Sequence, residues 1–117
     1  MFQVEDLIYD CPVEALANIL GKKWVATIIW QLQKDKKRFG ELQRLVEGCT
    51  KKMLSQQLDL LISQGIIINE KVTLNNSVES TYYLSASGLK LLPLVETMIN
   101  WGNIHLSCQD GHKKKTR

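Results

Sequence analysis

The sequence predicts a mainly α domain that carries one small β-hairpin. Three observations lead there. Apolar residues recur at helical spacing through residues 12–65. After Gly65 the pattern becomes β-branched, Ile66-Ile-Ile-Asn-Glu-Lys-Val72, and it returns as Glu79-Ser-Thr-Tyr-Tyr-Leu84 beyond an Asn-rich tip. A last helical stretch, ending near His105, bears two apolar stripes side by side. At 117 residues and 44% apolar composition, the chain fits one domain with a real core.

Residues 1–10 mix apolar and acidic side chains and read as an N-terminal arm that either packs on a partner or frays. Pro12 suits a first helical position, Glu14 favours that end of the dipole, and Gly21 closes the helix. Val13, Leu16, Ala17 and Leu20 form its apolar side. A second helix runs from Trp24 to about Lys34. Its Trp24, Val25, Ile28, Ile29 and Leu32 span an arc wide enough for burial on more than one side, with Trp30 left for a second contact. Asp35-Lys36-Lys37-Arg38 reads as a charged turn, and Phe39 to Val46 as a third helix.

The fourth helix has both ends marked. Thr50 is a good N-cap, Cys49 and Leu54 stand at staple spacing, and Gly65 can end it in the left-handed conformation. Leu54, Leu58, Leu61 and Ile62 make one stripe; Lys51, Lys52, Ser55, Gln56 and Asp59 make the opposite face. The third and fourth helices, joined by a short Gly-containing connection, make a helix-turn-helix. A hairpin directly after it gives the winged order, with Asn75, Asn76 and Ser77 at the tip. Ser85 or Ser87 caps the last helix, and Pro93 must kink it or split off a first turn. One of its stripes, Leu92, Val95 and Ile99, suffices for docking. The second, Leu91, Leu94, Met98 and Trp101, needs another partner, and a subunit interface is the simplest. The expected organisation is therefore an arm (1–10), a winged helix-turn-helix domain with terminal helices forming a dimer interface (11–107), and a flexible basic tail (108–117) containing Lys113-Lys114-Lys115.

Composition excludes several classes. A net charge of +3 and a pI near 8.8 lean only mildly toward anionic partners. Three widely spaced cysteines (Cys11, Cys49, Cys108) and two histidines (His105, His112) lack zinc-ligand spacing, so no metal and no cofactor are expected. No nucleophile–base pair, acid pair or phosphate loop assembles by motif, so the chain does not read as an enzyme. No signal peptide and no apolar run of about 18 residues is present, which predicts a cytoplasmic protein with reduced thiols and no membrane partner.

The residues together resemble the HxlR-type transcriptional regulators, relatives of the MarR group. The matching run is Cys11-Pro12-Val13-Glu14, Gly21-Lys22-Lys23-Trp24 and Arg38-Phe39-Gly40-Glu41-Leu42. It continues through Lys52-Met-Leu-Ser-Gln-Gln-Leu58, Gly65-Ile66-Ile67, Tyr83-Leu84-Ser85 with Gly88, and Leu92-Pro93-Leu94, roughly residues 11–102 in consistent order. The resemblance implies a homodimer on a palindromic operator in double-stranded DNA, with repression the expected polarity and room for an unidentified small-molecule inducer. It also implies a recognition helix in the major groove, a wing along the backbone or minor groove, and a sensor of oxidants or electrophiles at Cys11. The uncharged tip departs from the Pro-Pro and basic residues often found in such wings.

On that reading Lys37, Arg38, Lys51 and Lys52 meet phosphates, helped by the helix end that Thr50 caps. Ser55, Gln56 and Gln57 reach base edges, and Asn75, Asn76 and Ser77 form the wing contact. Leu16, Leu91, Leu94, Met98 and Trp101 form the dimer interface. The competing reading is a winged-helix protein-interaction module that never touches DNA.

Overall fold

The computed structural model describes residues 1–107; the tail with Cys108, His112 and Lys113-Lys114-Lys115 lies outside the described residues. Residues 1–10 are not a free arm. β1 (Phe2–Val4) and β2 (Leu7–Tyr9) form an antiparallel hairpin packed on the first helix, and Val4 is buried. Its turn places Glu5 at φ 55°, a position that no Gly or Asn marks in the sequence.

α1 spans Pro12–Leu20, with Cys11 in the N-cap position. It buries Ala15, Ile19 and Leu20, so the stripe read from the sequence is mostly its other side: Val13 and Ala17 are exposed. α2 (Val25–Gln31) is shorter than expected at both ends. Trp24 adopts φ 78° and stands outside the helix, while Leu32 N–H and Gln33 N–H bond back only three residues, to Ile29 and Trp30, and close it. Val25, Ile28, Ile29 and Leu32 are buried as read, and Trp30 packs half-buried against the same core.

The charged turn also needs correction. Lys37–Arg38 is a short strand, β3, pairing with the second wing strand through Lys37↔Tyr82 and Arg38↔Thr81. A two-residue edge strand carries no periodicity that could betray it. α3 (Phe39–Leu45) and α4 (Lys51–Ser63) follow. β4 (Ile67–Leu74) and β5 (Ser77–Leu84) complete an antiparallel sheet of order β3-β5-β4. The strands run to the tip because Asn75 and Asn76, at φ 49° and 67°, turn the chain in two residues, as a hairpin-compatible turn requires. Ser77 therefore belongs to β5; its hydroxyl donates to the Leu74 carbonyl at 2.8 Å.

Pro93 divides the last helical stretch. α5 (Ala86–Leu89) is capped by Ser85, whose Oγ accepts from Gly88 N–H at 3.1 Å, and α6 (Leu92–His105) carries Pro93 in its first turn. The core gathers Val25, Ile28, Ile29, Leu42, Leu54, Leu58, Leu61, Ile67 and Val95, each below 2% or at 2% exposure. Among the described residues no helix is long and apolar enough to cross a membrane. The order of elements and the wing are those of a winged helix-turn-helix.

Candidate nucleic-acid interface

α4 is built from its ends inward. Met53 N–H donates to Thr50 Oγ1 at 3.1 Å, so the cap forms and the Thr50 hydroxyl is used in it. Cys49 and Leu54, on either side of that cap, are both buried, as a staple needs. Gly65, at φ 74°, turns the chain out of the helix. Leu54, Leu58 and Leu61 fix the buried side; Leu60 joins them, and Ile62 is half-buried. This anchoring leaves Lys51, Lys52, Ser55, Gln56 and Asp59 together on an exposed face.

The other sequence-derived contacts are placed differently. Gln57 is half-buried, and its Nε2 donates to the Lys23 carbonyl at 3.2 Å, stitching α4 to the loop before α2. Lys37 is ion-paired with Asp35. Arg38 Nη1 lies 3.0 Å from Glu79 Oε2 and its Nε 3.8 Å from Glu41 Oε1, while Glu41 also accepts the Arg38 backbone N–H at 2.8 Å. Sequence reading did not find Lys36, which lies 3.6 Å from Glu70. Among the described residues, Lys51 and Lys52 stand in no ion pair. Asn75, Asn76 and Ser77 are exposed at the tip. The hairpin turn reaches this side of the molecule: Glu5 pairs with Lys22 at 3.1 Å, and both border a shallow polar depression with Gln56, Gln57 and Asp59.

A second surface lies between α1 and α6. Val95 is buried and Leu91 and Leu92 half-buried, whereas Leu94, Met98, Trp101 and Ile104 are exposed. Ile99, read as part of the docking stripe, is 38% exposed and joins the open side. Val13, Leu16, Ala17 and Leu20 of α1 face Leu94 and Met98 across an apolar groove of about 570 Å³. Trp101 packs against His105 in a tilted arrangement, with ring centroids 4.8 Å apart.

The two described cysteines differ. Cys49 is buried, and desolvation pushes its thiol pKa up, which suits an inert packing residue. Cys11 is half-buried at the start of α1, where the hairpin joins the helix. Lys22 and Lys23, cations that would favour a thiolate if they stood beside it, are occupied elsewhere: Lys22 by Glu5, and Lys23 over the Trp24 ring at 5.0 Å. No group of His, Cys, Asp or Glu among the described residues could hold a metal.

Residues 19–110 match the model of the family described as HxlR-like helix-turn-helix. The HTH-type transcriptional regulator YtcD of Bacillus subtilis is 36% identical over 99 residues, covering 85% of this chain and 78% of its own. Among solved structures, the redox regulator HypR in its oxidised form superposes with a TM-score of 0.76 at 32% identity, covering 84% of this chain and all of that one. The reduced form of the transcriptional regulator YodB from B. subtilis gives a TM-score of 0.74 at 27% identity, over 87% of this chain and all of that one.

Proposed function

The chain belongs to the HxlR-like helix-turn-helix family and is a transcriptional regulator of that type; from this premise we propose that it represses as a homodimer bound to a palindromic DNA operator. The observation that carries the reading is the outer face of α4, where two lysines in no ion pair among the described residues stand beside Ser55 and Gln56 on a helix capped by Thr50 and anchored by four buried leucines. Lysines there suit phosphates, and Gln56 suits adenine in the major groove. Gln57 reaches a base only by leaving the Lys23 carbonyl. Lys37 and Arg38 reach phosphate only by leaving their carboxylates. Asn75, Asn76 and Ser77 offer hydrogen bonds, without charge, to the backbone or minor groove.

The apolar side of α6, with Leu16, Leu91, Leu94, Met98 and Trp101, is the proposed subunit interface. It would set two α4 helices about 34 Å apart, one turn of DNA. Selection from a random duplex pool tests the reading; absence of enrichment even at low salt sinks it. Lys52→Ala is expected to weaken all sequences alike and lower the salt slope by about 1, whereas Gln56→Ala relaxes preference at one position, costing about 1–3 kcal/mol on the best site. Titrations of both variants against matched and scrambled duplexes, at three salt concentrations, separate the two effects.

Cys11 is the proposed sensor of oxidants or electrophiles. Its support is its half-exposed place at a helix start, the inert environment of Cys49, and the similarity to a protein described as a redox regulator. Cys11→Ser is expected to bind DNA as the parent does and to lose release by diamide or a quinone. An unchanged response would remove Cys11 from this role.

A further inference from the structure

The outward face of the wing sheet carries an arrangement that the DNA reading does not use. Arg38, Thr81 and Glu70 lie in one cross-strand row over β3, β5 and β4. Glu79 stands two residues from Thr81 on β5 and so shares its face. Opposite faces alternate, which leaves Tyr82 and Leu84 to the core side, where Leu84 is buried. On the outward face each cation meets a carboxylate from the wing: Arg38 meets Glu79 at 3.0 Å, and Lys36 meets Glu70 at 3.6 Å. Arg38 also opens α3, the first helix of the helix-turn-helix, which is the helix that crosses the DNA backbone in this architecture.

The geometry points to Glu79, with Glu70 as its weaker counterpart, as an internal competitor for phosphate. This inference rests on the DNA-binding reading. A carboxylate 3.0 Å from Arg38 occupies the guanidinium edge that a phosphate would take, and its own charge repels the phosphate. The pair is half exposed, with Arg38 at 56% and Glu79 at 40%, so it adds little to folding stability. Its consequence falls on binding instead. The wing side delivers fewer phosphate contacts than its lysine and arginine content implies, and the grip on DNA rests more heavily on Lys51 and Lys52, which stand in no ion pair among the described residues. The acids thereby restrain affinity for DNA of any sequence, while the α4 contacts to bases are untouched. That raises the share of binding that depends on sequence.

Glu79→Gln keeps the size and hydrogen-bonding capacity of the side chain and removes its charge. We expect the full chain with this change to bind both operator and scrambled duplex about threefold to tenfold more tightly at low salt. The salt slope should steepen by about 1, the mark of one added phosphate contact. Arg38→Gln placed on top of it should cancel the gain. Thermal melts of each variant show that the fold persists. Equal affinity and slope for Glu79→Gln and the parent would overturn the proposal, as would weaker binding by Glu79→Gln or a gain that survives Arg38→Gln. Lys52→Ala is the control for the underlying reading. If it lowers the parent's slope while Glu79→Gln changes nothing, only the competitor idea falls. If neither parent nor variant binds any duplex, the DNA reading falls and takes the competitor with it.

Discussion

Replacing Met98 with glutamate is expected to leave a folded monomer that has lost operator binding by about 100-fold or more. In the isolated chain Met98 is 43% exposed on α6, so a carboxylate there reaches water and the fold has no reason to fail. In the proposed dimer the same position, which shares an apolar groove with Leu94 of α6 and with Leu16 across from it on α1, is covered by the second subunit. A charge desolvated there without a partner costs several kcal/mol on each side of a two-fold interface, more than a modest interface can offset. A monomer engages one half-site and loses the gain of simultaneous binding, so the deficit in affinity reflects lost linkage between two α4 helices. Light scattering after size exclusion at micromolar concentration, with a duplex titration, checks both halves. A variant that stays dimeric and binds as the parent does would place the interface elsewhere.

Gly88→Ala is expected to be the most damaging single methyl in the chain. A Cβ built on Gly88 would stand 2.2 Å from the carbonyl oxygen of Ile66, a backbone atom that has no flexible way out. That same oxygen accepts the Ser85 N–H at 2.9 Å and the Ser85 hydroxyl at 3.1 Å. Separating α5 from the start of β4 therefore strains or breaks both bonds as well as the packing around buried Gly88. Overpacking against a fixed backbone costs about 3 kcal/mol, which in a domain of this size lowers Tm by roughly 10–20 °C. Urea and thermal melts at fixed protein concentration measure it; a transition at the parent's midpoint would show that α5 can move aside freely. Because α5 leads into α6, the destabilised variant should also dimerise less.

What could be read from the sequence follows the physics of each element. α4 was legible because its cap, staple, stripe and terminal Gly65 all point to one helix, and each of those features forms. The break at Pro93 and the turn residues Asn75 and Asn76 were legible because ring geometry and positive φ restrict which residues can serve there, although the sequence suggested a longer tip than the two-residue turn that forms. The N-terminal hairpin was not: its strands are three residues long, and its turn uses Glu5 in a conformation that favours other residues. The stripe on α1 misled because that helix is apolar on two sides, and periodicity does not tell which side meets the core. At the candidate interface the polar face of α4 was legible from spacing alone. The partners that occupy Arg38 and Gln57 were not, since Glu79 and the Lys23 carbonyl lie 41 and 34 residues away in sequence.

The Glu5–Lys22 contact also matters for how the molecule can be watched. Because the N-terminal turn folds back to border the same depression as Gln56 and Asp59, the first residues of the chain are neighbours of the helix proposed to read bases. A solvent-sensitive fluorophore attached at exposed Asp6 would sit within sight of that helix without replacing any residue on it. The β1–β2 turn is thus a natural vantage point from which docking onto a duplex becomes an optical signal.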